Sequence, residues 1–246
     1  MTSDAIERKL REEVAACTLM LVDLELLGYS GHVSMRLPDR ETILIQPLEL
    51  SRAALKPEDL LVVKIADGKQ LTGTMRPPAE VFLHTEIMKA RPDINAVAHF
   101  HHDRTTSFTL AEGPTLLPIK NHAIRWESGI PVHEDPSHVS SIARGEALAR
   151  TLGPHHAAQI RAHGQVITAE SIPALLIDSV HFVENALAMF DAATLGKIRP
   201  LTAQEIELFK GDLKRGLHIS KLWTYYVGRA RAKGVLPADW SLDIAK

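Results

Sequence analysis

The sequence predicts one α/β domain across residues 1–246, finished by a helical tail. Helix-period and strand-like segments are interspersed throughout, and no Gly/Ser linker, internal repeat or low-complexity stretch divides them. A chain of 246 residues, 45% of them hydrophobic, has enough apolar material for a substantial core.

Ile6, Leu10, Val14, Cys17, Leu21 and Leu24 recur at helical spacing, so the chain opens with an amphipathic helix whose end Gly28 and Gly31 bracket. His32 to Leu37 reads as a strand, Pro38-Asp39-Arg40 as a turn and Thr42 to Gln46 as the hairpin partner. A β-rich run from Leu60 to Ile65 stops at the turn signal Ala66-Asp67-Gly68. Pro77-Pro78 introduces a helix over Ala79 to Ala90 that Arg91-Pro92-Asp93 terminates. Ala96 to His101 is short and apolar, a buried strand. Ala158 to His163 and Gln165 to Thr168 read as strands meeting at Gly164, and Ser171 is a good N-cap for a long helix reaching about Leu195. The tail from Thr202 holds another helix, then Leu222-Trp223-Thr224-Tyr225-Tyr226 and a last short helix.

A net charge of −2 argues against a polyanionic partner such as nucleic acid. The first nine residues are too polar for a signal peptide, and the apolar run from Val14 to Leu27 is short for a membrane span and contains Asp23 and Glu25. The single cysteine, Cys17, lies in an apolar stretch with no cationic neighbour and reads as a buried structural residue. A cytoplasmic protein without a membrane partner is expected.

Thirteen histidines are many for this length, and the pair His99-Phe100-His101 is the informative one. On a strand, positions i and i+2 share a face, so both imidazoles project together and suit a divalent metal. The pair is equally compatible with histidines that bind nothing. His163, at a strand end before Gly164, is the candidate third ligand, although alone it reads as a turn histidine. Glu80 falls in the first turn of the helix that feeds the His99 strand. Burial there would raise its pKa into the range useful for proton transfer, while the helix dipole alone would also favour an acid at that position. His84, one turn on, is either a partner of that site or a packed core residue.

Taken together, these segments resemble the class II aldolase/adducin family. Arg76-Pro77-Pro78-Ala79-Glu80 and the run from His84 through Ala90-Arg91-Pro92 to His99-Phe100-His101 resemble its core block. Gly31-His32-Val33-Ser34-Met35-Arg36 and His163-Gly164-Gln165-Val166 resemble its two other blocks, in the same order, so the resemblance spans roughly Leu10 to Leu195. It implies a three-layer α/β/α fold around a mostly antiparallel sheet, a metal on His99, His101 and His163, and Glu80 as acid/base. It also implies a homotetramer with active sites between subunits.

The family's sugar-phosphate aldolases carry Ser-Ser-Glu, whose serines help bind phosphate, where this chain has Pro78-Ala79-Glu80, and Gly-Asn where it has Gly31-His32. Proline lacks an N–H and alanine a hydroxyl, which argues against a phosphorylated sugar. Gly-His-Val-Ser, Arg-Pro-Pro-Ala-Glu and the tail from Lys221 to Gly228 instead resemble the family's aromatic-acid decarboxylases. Those act on hydroxylated phthalates or on 3-hydroxy-2-methylpyridine-4,5-dicarboxylate.

The expected activity is metal-dependent loss of carbon dioxide from an ortho-hydroxy aromatic dicarboxylate, with Glu80 delivering the ring proton and His32 assisting. Arg76 is the candidate for the second substrate carboxylate, with Arg36 and Arg104 behind it, and His32, Ser34 and Tyr225 are further substrate-binding candidates. Trp223, Tyr225 and Tyr226 either cap an aromatic substrate or pack on the domain. Three imidazoles accept manganese, zinc, iron(II) or cobalt(II). The decarboxylase resemblance favours Mn2+ and the aldolases Zn2+. Two other readings compete: a metal-dependent aldolase on a non-phosphorylated hydroxy-keto acid, and a non-catalytic adducin-like interaction module, which predicts lost metal ligands.

Overall fold

The computed structural model describes residues 3–113, 115–212 and 214–244. The chain begins with α1 (Ser3–Asp23), followed by β1 (His32–Arg36), β2 (Thr42–Ile45) and β3 (Leu61–Lys64). Next come α2 (Val81–Ala90), β4 (Ala96–Phe100) and a single turn, α3 (Asp103–Thr106). A 3-10 helix over Asn121–Trp126 precedes β5 (Val132–His133) and α4 (Ile142–Leu152). The hairpin β6 (Ala157–Ile160) and β7 (Gly164–Ala169) leads into α5 (Ile172–Leu195), α6 (Ala203–Asp212) and α7 (Arg215–Ala232).

The strands form one seven-stranded sheet in the order β3-β2-β1-β4-β7-β6-β5, antiparallel except for the β5–β6 pair. Strand period sorts its side chains. Ala96, Ala98 and Phe100 of β4, with Val33, Leu44, Val62 and Ile167, face the core built with α1, α5 and α7. Val97 of β4, with Ile43, Ile45, Val63, Ala158 and Val166, faces the core built with α2 and α4. The result is the expected α/β/α sandwich. His99 has the parity of Val97, and the β1–β4 register sets His32 opposite His99. The same alternation that builds two cores therefore turns both histidines toward α2.

Ser171 caps α5 by accepting from the Ala174 amide at 3.3 Å. By length and composition α5 is apolar enough to cross a membrane, yet 78% of that stretch is buried inside the protein, as in the core helix of a globular domain. Cys17 is fully buried, and burial pushes its thiol up, away from nucleophile chemistry.

Two expectations change. The tail does not divide at Leu222–Tyr226: those residues lie within the 18-residue α7, which buries Ile219, Trp223, Val227 and Ala230 along one face. Trp223 Nε1 donates to the Leu242 carbonyl at 2.6 Å, so this ring packs on the body of the domain. Arg36 is also committed elsewhere. It is buried, and its guanidinium donates to the carbonyls of Met88 at 2.7 Å and Ile94 at 3.0 Å, satisfying the C-terminal end of α2.

Candidate metal centre

His99 is fully buried, and its Nδ1 lies 3.0 Å from the carbonyl of Gln165 on β7. A carbonyl can only accept, so Nδ1 carries the proton and Nε2 keeps a free lone pair directed away from the strand. His101, just past the end of β4, brings its own Nε2 to 3.0 Å from that atom. His163 completes the group from the β6–β7 turn, where Ala162 takes the left-handed conformation at φ 55°. Its ring centroid lies 5.0 Å from that of His99 and 4.8 Å from that of His101. Two glycines make the convergence possible. A Cβ on Gly164 would stand 2.6 Å from both His101 Cδ2 and the Phe100 carbonyl, and one on Gly31 (φ 110°) would stand 2.7 Å from the His99 carbonyl.

Glu80 occupies the N-cap position of α2, one residue before the helix rather than within its first turn as expected, and makes no cap with its side chain. Its buried carboxylate turns to the histidines instead: Oε2 is 3.5 Å from His99 Nε2 and 3.8 Å from His32 Nε2, and Oε1 is 3.7 Å from His163 Nε2. The Val139 amide donates to Oε1 at 2.9 Å. The expectation of a raised pKa is reversed in the protein chain. Burial does push the carboxyl up, but the facing imidazoles of His99 and His32 and the hydrogen bond from the Val139 amide outweigh it and hold Glu80 well below the carboxylate range. The group stands ready as an ionised base.

His84 is a partner of the site as well as a buried residue. His32 Nδ1 is 3.0 Å from His84 Nε2, and His84 Nδ1 is 2.7 Å from Ser34 Oγ. One tautomer set satisfies the row: Ser34 donates to His84, His84 donates to His32, and His32 Nε2–H faces Glu80. Ser34, read from the sequence as a substrate contact, is fully buried behind His84.

Sequence reading missed His138. Its Nδ1 lies 3.7 Å from Glu80 Oε1, and its ring, 77% exposed, stands 5.4 Å from that of His163. It sits in an irregular loop, where no periodicity marks it.

The donor set fits a divalent cation. One ligand atom each from Glu80, His99, His101 and His163 lies within 4.8 Å of the others. Nε2 of His163, the nitrogen that faces Glu80, is buried without a hydrogen-bond partner, an arrangement that costs free energy unless a ligand takes up its lone pair. The Gln165 contact supplies the outer support that orients a metal-binding imidazole.

Residues 12–190 match the family described as Class II Aldolase and Adducin N-terminal domain. The chain belongs to that family. It is 28% identical over 219 residues to the 3,4-dihydroxyphthalate decarboxylase of Rhodococcus jostii, covering 82% of this chain and 88% of the relative. It is 30% identical over 123 residues to a probable L-ribulose-5-phosphate 4-epimerase of Mycoplasma pneumoniae, covering 50% and 51%. The L-fuculose 1-phosphate aldolase of Glaciozyma antarctica shares the fold, with a TM-score of 0.81 at 18% identity over 95% of this chain and 93% of the other.

This class II aldolase fold leaves the other substrate candidates outside the cluster. Arg76 is exposed, with its Nε 2.6 Å from Glu49 Oε1. Arg104 is half exposed beside Asp191 and over the Phe190 ring. Tyr225 is 59% exposed on α7 and packs edge-on against Tyr226. Among the described residues, Arg76 and Tyr225 make no hydrogen bond, ion pair or ring contact with Glu80 or the three histidines.

Proposed function

We propose that this family member is a divalent-metal-dependent lyase that decarboxylates an ortho-hydroxy aromatic dicarboxylate of the 3,4-dihydroxyphthalate or 3-hydroxy-2-methylpyridine-4,5-dicarboxylate type. The observation that supports it best is the buried Glu80 carboxylate set 3.5 Å from His99 Nε2 and 3.7 Å from His163 Nε2, beside a cluster of three imidazoles. The choice of an aromatic acid over a sugar phosphate rests on Pro78-Ala79 in place of hydroxyl donors and on the length of the similarity to the dihydroxyphthalate decarboxylase.

His99, His101 and His163 would hold the cation, with Mn2+ or Zn2+ as the proposed metal and Fe2+ or Co2+ compatible with the donors. When bound, it supplies positive charge beside the substrate oxygen that carries negative charge during carbon–carbon cleavage. Glu80 takes the proton of the ring hydroxyl and returns it to the ring carbon that bears the departing carboxylate. The carbon–carbon bond then breaks, carbon dioxide leaves, and the bonding pair restores the aromatic ring. The product phenolate regains a proton from water. His32 positions Glu80 through its Nε2 and is itself held by His84 and Ser34. Arg76 and Tyr225 are proposed to close on the second carboxylate and the ring, which requires Arg76 to leave Glu49. The reading includes a homotetramer: Tyr29, near the start of β1, is 98% exposed in the single chain and is a ring that a neighbouring subunit would cover.

A substrate screen tests the proposal. Protein loaded with Mn2+ or Zn2+ is offered hydroxyphthalates, hydroxypyridine dicarboxylates and non-phosphorylated hydroxy-keto acids, with carbon dioxide and aldehyde both followed. Carbon dioxide from an ortho-hydroxy aromatic acid is expected. Aldehyde from a hydroxy-keto acid, with no carbon dioxide from any aromatic acid, would make it an aldolase.

A further inference from the structure

Outside this centre, a second group of ligand-type side chains converges where the Asn121–Trp126 turn meets α5 and α7. We propose that His122, His181 and Glu184 form a second divalent-cation site, a two-imidazole, one-carboxylate set suited to Zn2+.

One ligand atom from each residue lies within 4.8 Å of the others. His181 and Glu184 stand three residues apart on α5, which places them on one helix face. His122 comes from the neighbouring turn, its ring stacked on that of His181 with centroids 4.1 Å apart and planes 15° apart. Its Nε2 is buried without a hydrogen-bond partner and lies 3.6 Å from Glu184 Oε2. An unpartnered buried nitrogen beside a carboxylate is a vacancy in the hydrogen-bond pattern that a cation resolves.

A third imidazole stands nearby. The ring of His218 on α7 is 5.3 Å from that of His181, and its Nε2 is also buried without a partner. His122, His181 and His218 line a cavity of about 360 Å³ together with the acidic Asp178 and Glu127 and the cationic Arg125, Lys210 and Arg215, so water or a small anionic ligand has room to complete the coordination. Imidazole donors favour a borderline cation over Ca2+ or Mg2+, which prefer all-oxygen shells. Lys120 Nζ lies 3.5 Å from Glu184 Oε2 and competes for that carboxylate, so this site should bind more weakly than the three-histidine centre.

The site would pin the 121–126 turn to α5. That turn is already tied there by Asn185, whose Oδ1 accepts from the amides of Ile119 at 3.0 Å and Lys120 at 3.2 Å. A structural role of this kind leaves the first centre's chemistry untouched.

The test titrates the chelator-stripped protein with Zn2+ alone, by calorimetry and by metal analysis after gel filtration. Wild type should bind about two ions per chain, and His181→Ala and His122→Gln about one each. His99→Ala should also fall to about one, and His99→Ala combined with His181→Ala to about none. Two independent variants guard against a folding defect in either, and circular dichroism checks each. A wild-type stoichiometry of about one that His99→Ala abolishes overturns the proposal. Retention of about two ions in both His181→Ala and His122→Gln overturns it equally.

Discussion

The two histidine clusters use similar donors but are built differently. His99 and His101 come from one strand end and its exit, fully or partly buried, and the surrounding backbone holds His99 through the Gln165 carbonyl. His122, His181 and Glu184 come from a 3-10 turn and a helix, near the surface, with the carboxylate shared with Lys120. A sheet defines side-chain directions through its ladder and permits a preorganised reactive centre. A helix face beside a turn permits adjustable binding at lower precision. On the proposed reading the first cluster carries the chemistry and the second anchors the fold.

Substitutions at the two clusters should separate those roles. The largest effect is expected for His99→Ala, which removes the ligand that also touches Glu80: decarboxylation should fall by at least ~10³-fold and the tighter metal should be lost, as read by metal analysis. Glu80→Gln should retain metal but lose roughly 10²- to 10⁴-fold in turnover, because an amide cannot carry the proton. If Glu80→Gln turns over like wild type, the carboxylate has no part in the chemistry. Ser34→Ala, which releases His84 and through it His32, should cost about fivefold in kcat with KM nearly unchanged, the size of one lost hydrogen bond. His181→Ala should change kcat by less than about twofold, and a large loss there would erase the distinction between the clusters.

Both clusters should also make the metal-free chain sensitive to acid. Burial, reinforced by neighbouring imidazoles, pushes His84, His101 and His181 down to about 3. Unfolded histidines titrate near 6.5, so below that pH the unfolded chain binds more protons than the folded one. Stability is therefore fully present above about pH 6.5 and is lost as the pH falls toward the folded values. Thermal unfolding of chelated protein should show a lower midpoint at pH 5 than at pH 7.5. An unchanged midpoint would mean that these rings are not held neutral by the fold.

How much was legible follows from the same physics. The parity of Ala96 to His101 was readable because strand period is strict, and it oriented His99 correctly. Pro77-Pro78 placed Glu80 at the start of α2 to within a residue, but the balance of burial against the facing imidazoles and the Val139 amide depends on the fold, and the pKa direction came out opposite. His138 lies in an irregular loop and His122 in a short 3-10 turn, neither with a period that reveals it. The last helix misled through composition. Trp223, Thr224, Tyr225 and Tyr226 are β-prone residues, whereas Ile219, Trp223, Val227 and Ala230 follow helical spacing and are the ones buried. Arg36 was read as a possible carboxylate binder because its type suits that task. Its commitment to the end of α2 needed the antiparallel arrangement of β1 and β4 to be known.

The central claim is most directly tested by counting metal and carbon dioxide on the same samples. Wild type and His99→Ala, each reconstituted with Mn2+ or Zn2+, are incubated with 3,4-dihydroxyphthalate and with 3-hydroxy-2-methylpyridine-4,5-dicarboxylate. The account predicts carbon dioxide in proportion to substrate consumed by metal-loaded wild type, with metal and activity lost together in His99→Ala. Full carbon dioxide release from His99→Ala after its tighter metal has been lost would contradict it.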